Sequence, residues 1–153
     1  MAVHGKIMLA RAGHKDWRDT KAAKDYVRYH LGRSNGDTFL TELSPIPTRR
    51  TADMSWMSEI MQQDSNLGQK IEDRNTKLKE LLKISSQDSI ICYGKRANNF
   101  GELIDVTWVP VTQQISRSHN GKCLLLPFFG NGQMSHAVIG ILLQRGLLQD
   151  SST

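Results

Sequence analysis

The sequence predicts an α/β fold, a three-layer α/β/α sandwich around a mainly parallel central sheet. Three observations predict it. Ser89 to Tyr93 is almost continuously apolar, the pattern of a strand covered on both faces. Cys123 to Leu126 reads as a second such strand, followed by a Pro/Gly-punctuated loop and an amphipathic helix. The order helix, strand, helices, strand, helix, strand, strand, helix completes the pattern.

The chain has 153 residues and 39% apolar composition, enough for one domain spanning 1–153 with a substantial core. No run reaches the roughly 18 apolar residues needed to cross a bilayer. Met1 to Arg18 shows no secretory pattern, so a cytoplasmic protein (nuclear in a eukaryote) is expected. Cys92 and Cys123 fall inside strands as small core hydrophobes. Neither has a partner at ligand spacing, and no metal or cofactor is expected. Twenty Lys and Arg against fifteen Asp and Glu give +5, which suits a polyanionic partner.

The flanks 1–18 and 148–153 need carry no regular element. Within the first, Ile7 to Ala10 fits a short strand or the first turn of a helix. Thr20 can cap a helix with apolar face Ala23, Tyr26, Val27, His30 and Leu31, and Gly32 stops it. Ser34-Asn35-Gly36-Asp37 is a turn, and Thr38 to Leu43 a β-rich run ended by Pro45. Pro45 to Arg50 is a basic loop, after which Asp53 caps a short helix bearing Trp56, Met57, Ile60 and Met61. Helical spacing resumes at Leu67, Ile71, Leu78, Leu81 and Leu82. Ala97, Phe100, Leu103 and Ile104 trace another helix beyond the Ser89–Tyr93 strand. Thr107 to Ile115 and Lys122 to Leu126 flank Ser118-His119-Asn120-Gly121, a hairpin or tight-turn signal. A last helix runs from about Met134 to Leu147 and buries Val138, Ile139, Leu142 and Leu143.

With these elements placed, three stretches resemble the uracil-DNA glycosylase superfamily over roughly residues 20 to 147. Phe39-Leu40-Thr41-Glu42-Leu43-Ser44-Pro45-Ile46-Pro47, with Arg49-Arg50, resembles the family's strand and Pro/basic loop. Ile90-Ile91-Cys92-Tyr93-Gly94-Lys95-Arg96-Ala97 resembles its strand ending in Gly before a phosphate-contacting helix. Cys123 to Ser135 occupies the place of the strand and His-Pro-Ser loop, and Phe128-Phe129-Gly130 echoes a Phe-Phe-Gly of some members. The resemblance implies DNA binding, and hydrolysis of the N-glycosidic bond of an extruded damaged base in DNA repair. This chain departs from the family at the chemically informative positions. Ala12-Gly13-His14-Lys15-Asp16, the one candidate for the first catalytic loop, lacks its proline. The pyrimidine-reading Asn falls on Glu42, and the His of the last loop falls on Phe128.

The residues themselves support a ligand-facing edge. Gly94 lets a phosphate approach the backbone and Lys95 and Arg96 add charge, although a plain strand–helix turn would look the same. Arg49 and Arg50 can pin a phosphodiester bidentately, or be ordinary surface charge. Glu42, at a strand's carboxyl end, can accept from a base amine, act as general base, or pair with a nearby cation. It is the candidate catalytic residue. Phe128 is a stacking candidate, as is Phe129, and Asn131, Gln133 and His136 are candidate base contacts, with turn chemistry the competing reading. Three functions follow: a DNA glycosylase-like hydrolase, a non-catalytic nucleic-acid or nucleotide-binding module of the same fold, and an α/β protein for a small ligand.

Overall fold

Leu124 and Leu126 project from one face of a sheet onto a helical layer, and most of the core is built there. The computed structural model describes residues 2–34, 38, 40–41, 63–84, 89–94, 101, 104–129 and 133–148. Within them lie helices α1 (Ala2–Arg11), α2 (Thr20–Tyr29), α3 (Ser65–Ile84) and α4 (His136–Gln144). The strands are β1 (Ile90–Tyr93), β2 (Trp108–Pro110), β3 (Ser116–Ser118) and β4 (Cys123–Leu126). The described chain is thus mixed α/β.

The sheet order is β1-β4-β3-β2. Only β1 and β4 run parallel; β4 with β3 and β3 with β2 are antiparallel. A mainly parallel sheet was expected, and among the described residues it is mixed. The reason is local: the segment from Thr107 holds two strands, not one. It folds back through Val111 to Ile115, where Val111 N–H donates to Ile115 O at 2.8 Å. The Thr112 hydroxyl accepts from the N–H groups of Gln114 and Ile115 at 3.2 and 3.1 Å. β3 then enters the Asn-Gly turn predicted from sequence, where Gly121 takes φ 77° and its N–H donates to Ser118 O. Ser118, buried to 2% exposure, donates its hydroxyl to Asn120 Oδ1 and accepts from Cys123 N–H at 2.9 Å.

The N-terminal flank is α1, which resolves Ile7 to Ala10 as helix and gives residues 1–18 a regular element. Its Ile7, Leu9 and Ala10 join Trp17, Ala23, Leu124, Leu126, Val138, Ile139 and Leu142 in one buried cluster. Gly5 faces α2, where a Cβ would overlap the Ala23 carbonyl oxygen. The α2 cap is Asp19, not Thr20: its carboxylate accepts from Lys21 and Ala22 N–H, leaving Thr20 as the first helical residue. Those two backbone bonds, Ala22 first, hold its pKa below the ordinary carboxylate value. Gly32, at φ 64°, lies just beyond the helix as expected.

In α3, Ile71 and Leu78 are buried while Leu81 is 52% exposed, so the inward stripe is narrower than the spacing implies. α4 begins at His136 rather than Met134, because Ser135 takes extended dihedrals and its hydroxyl accepts from Val138 N–H. It buries Val138, Ile139 and Leu142, with Leu143 half-buried. Cys92 and Cys123 lie on the sheet face opposite Leu124 and Leu126, both buried and unbridged. Burial pushes the Cys92 thiol up to about 12 and raises that of Cys123. Both are neutral core groups.

Thr38, Leu40 and Thr41 belong to no strand; the rest of the expected Thr38–Leu43 run lies outside the described residues, as does the Asp53–Met61 helix. Gly101 and Ile104 are helical, while Ala97, Phe100 and Leu103 of that expected helix lie outside. No helix among the described residues is long and apolar enough to cross a membrane.

Candidate functional site

Parallel pairing of β1 with β4 sets Tyr93 beside Leu126. Gly94 and Pro127 therefore leave the sheet side by side at its carboxyl edge, where α/β folds place their ligands. Gly94 holds φ 115°, a backbone that a side chain would strain, and no described atom lies within 4 Å of where a Cβ would sit. The glycine is required by its conformation, and that face of the backbone is open among the described residues.

One wall of this edge is aromatic. The Tyr93 and Phe129 rings stack at 4.0 Å between centroids, 8° from parallel. His4 of α1 meets both edge-on, at 5.1 and 4.7 Å, and its Nε2 lies 2.9 Å from the Tyr93 hydroxyl. The structure divides the two neighbouring phenylalanines. Phe129 is committed to this internal stack, whereas Phe128 is 44% exposed. An exposed ring at this edge can receive a planar ligand. A histidine bonded to a phenol can hold or relay a proton there.

A cationic cluster lies on a different side of α1, because residues two apart on a helix do not share a face. Lys6, two residues beyond His4 on α1, places Nζ 2.9 Å from His136 Nε2 on α4. Trp17 meets the His136 ring edge-on at 5.7 Å, and the Arg18 guanidinium lies 4.7 Å over the Trp17 ring. His136 is the first residue of its helix, which starts later than the expected Met134. Gln133 is exposed in the turn before it. Gly94, Phe128 and His136 are thus in described segments at or next to this edge. Glu42, Arg49, Arg50, Lys95, Arg96 and Asn131 lie outside the described residues.

Sequence reasoning missed His4 and Lys6, which carry no motif and sit in a segment it could not assign. The available signal was their position, with polar side chains set between the apolar residues Val3, Ile7 and Leu9. Ala12 to Asp16, considered for the first catalytic loop, forms the exposed turn after α1. Among the described residues no cluster of three or more His, Cys, Asp or Glu is arranged to hold a metal ion. Compared with protein-family models, with curated proteins and with solved structures, the chain matches none.

Proposed function

We propose that this chain is a DNA-binding protein of uracil-DNA glycosylase-like type that receives a nucleotide at the carboxyl edge of β1 and β4. The observation that carries the reading is their parallel pairing, which brings the Gly94 and Pro127 loops together beside an exposed aromatic ring. A three-layer arrangement agrees with the packing. One sheet face meets α1, α2 and α4, while Gly101 packs against the Trp108 indole, whose strand register assigns it to the other. The net charge of +5 adds the electrostatic component that DNA binding uses.

One observation favours a catalytic form of the same reading. Residues 1–16 contribute His4, a polar side chain beside both loops, where the sequence lacks the family's first catalytic motif. In N-glycosidic hydrolysis water bonds to the sugar carbon, the carbon–nitrogen bond breaks, and the base leaves with the electron pair. In this reading the His4–Tyr93 pair would manage the accompanying proton, with Glu42 the acid that would position the water. The alternative is a module that grips DNA and performs no chemistry.

The test is binding to single- and double-stranded oligonucleotides across a salt series, with assay for released base from lesion-bearing strands. Steeply salt-dependent binding supports the nucleic-acid reading, and its absence leaves the small-ligand function. Base release lost in both Glu42→Gln and His4→Gln marks an enzyme. Binding with no release from any lesion marks the non-catalytic module.

A further inference from the structure

We infer that Lys6 and His136, backed by Trp17 and Arg18, form a phosphate clamp whose grip is coupled to uptake of one proton by His136. The inference rests on the nucleic-acid reading for its natural ligand, a backbone phosphodiester. Its chemistry is that of any phosphate oxyanion.

The 2.9 Å contact fixes the chemistry of the pair. An ammonium group donates and has no lone pair, so His136 Nε2 must be the acceptor. The imidazole in this geometry is therefore neutral and carries its proton on Nδ1. A protonated ring would set two cationic donors against each other. Lys6 is thus held by a neutral ring nitrogen, which leaves its charge uncompensated by that partner. The guanidinium of Arg18 stacks over the indole that meets His136 edge-on, so Trp17 links a second cation to the Lys6–His136 pair. Asp19, whose charged form Lys6 also favours, has its carboxylate engaged in capping α2, where it accepts from Lys21 and Ala22 N–H.

A phosphate oxyanion reverses the preference. Placed between the two groups, it accepts from Lys6 and gives His136 a reason to take a proton from solvent. Both nitrogens then donate to oxygen rather than compete. The complex binds one more proton than the separate partners, so affinity rises as pH falls through the range where imidazoles titrate. By reciprocity, phosphate raises the proton affinity of His136.

The experiment measures oligonucleotide affinity by fluorescence anisotropy between about pH 8 and pH 6 for the wild type, Lys6→Gln and His136→Gln. In parallel, His136 imidazole resonances are followed by NMR in the wild type with oligonucleotide and with inorganic phosphate. The wild type should gain on the order of fivefold to tenfold in affinity over that interval, the scale of an ordinary coupling between two sites. His136→Gln should lose the pH dependence, and Lys6→Gln should lower the logarithmic salt slope by about 1. Oligonucleotide binding with the same pH response in wild type and His136→Gln, and unmoved His136 resonances, would overturn the clamp and leave DNA binding standing. His136 shifts with inorganic phosphate but no oligonucleotide binding would overturn the DNA reading and support an anion site. No response to either probe would overturn both. The wild-type resonances decide the matter even if a variant does not fold.

Discussion

Gly5 of α1 lies against the backbone of Ala23 so closely that any β-carbon would overlap the Ala23 carbonyl oxygen. In an exposed helix, alanine in place of glycine would stabilise by up to about 1 kcal/mol. Here the contact is backbone to backbone and neither partner can turn aside. Gly5→Ala should therefore destabilise by about 1–3 kcal/mol through forced separation of the two helices. Urea unfolding monitored at Trp17 checks this; a stabilised variant would show that α1 and α2 pack loosely.

Tyr93→Phe keeps the stack on Phe129 and removes the hydroxyl bonded to His4. Its cost to stability should be about 0.5–1.5 kcal/mol, the net worth of one hydrogen bond. Phe129→Ala removes the shared ring and should cost more. Chemical denaturation of the two variants side by side gives the order, and the reverse order would mean that the stack is not a packing element.

Ser118→Ala deletes the acceptor for Cys123 N–H at the buried start of β4. Leaving that donor unpaired should cost about 1–3 kcal/mol, and amide exchange at Cys123 should accelerate. Unchanged protection there would show that another acceptor takes over.

Asp19 gives a pH-dependent contribution of known sign. Its carboxyl is held below the ordinary value of 3.8 by two backbone N–H groups, so the charged form stabilises the fold. That stabilisation is present above about pH 4 and is lost as the pH falls through the lower folded value. Thermal unfolding of wild type and Asp19→Ala should differ near neutrality and converge in acid. A gap that persists in strong acid would rule out the charged cap as its source.

The thiols of Cys92 and Cys123 should resist a disulfide reagent in the native protein and react fully in denaturant. Burial raises both, Cys92 to about 12, which leaves very little thiolate near neutral pH. Rapid native-state labelling would place one of them at the surface.

The hairpin at Asn120-Gly121, the strand at Ile90–Tyr93, the long helix over Ile71 and Leu78 and the final helix were all legible in the sequence, because local chemistry specifies each. Gly94 holds a backbone conformation that favours glycine, which fits the turn reading as well as the phosphate one. The second antiparallel pair among the described residues, β2 with β3, was not legible, since the fold-back at Thr112 depends on one hydroxyl accepting from two N–H groups. Nor were His4 and Lys6. Gly5 weakens the helical signal of their segment, and its reason lies across the helix interface at Ala23.

β2, β3 and β4 join through short connections, so this part of the sheet can form from nearby chain. The link of the aromatic wall to α1 and the cationic cluster cannot. Their polar contacts, His4 with Tyr93 and Lys6 with His136, span sequence separations of 89 and 130 residues. Closing such long loops is slow and costs entropy. This edge is accordingly expected among the last parts to assemble as the polypeptide folds, and a protein shorn of α1 would keep the Tyr93–Phe129 stack while losing the His4 and Lys6 contacts.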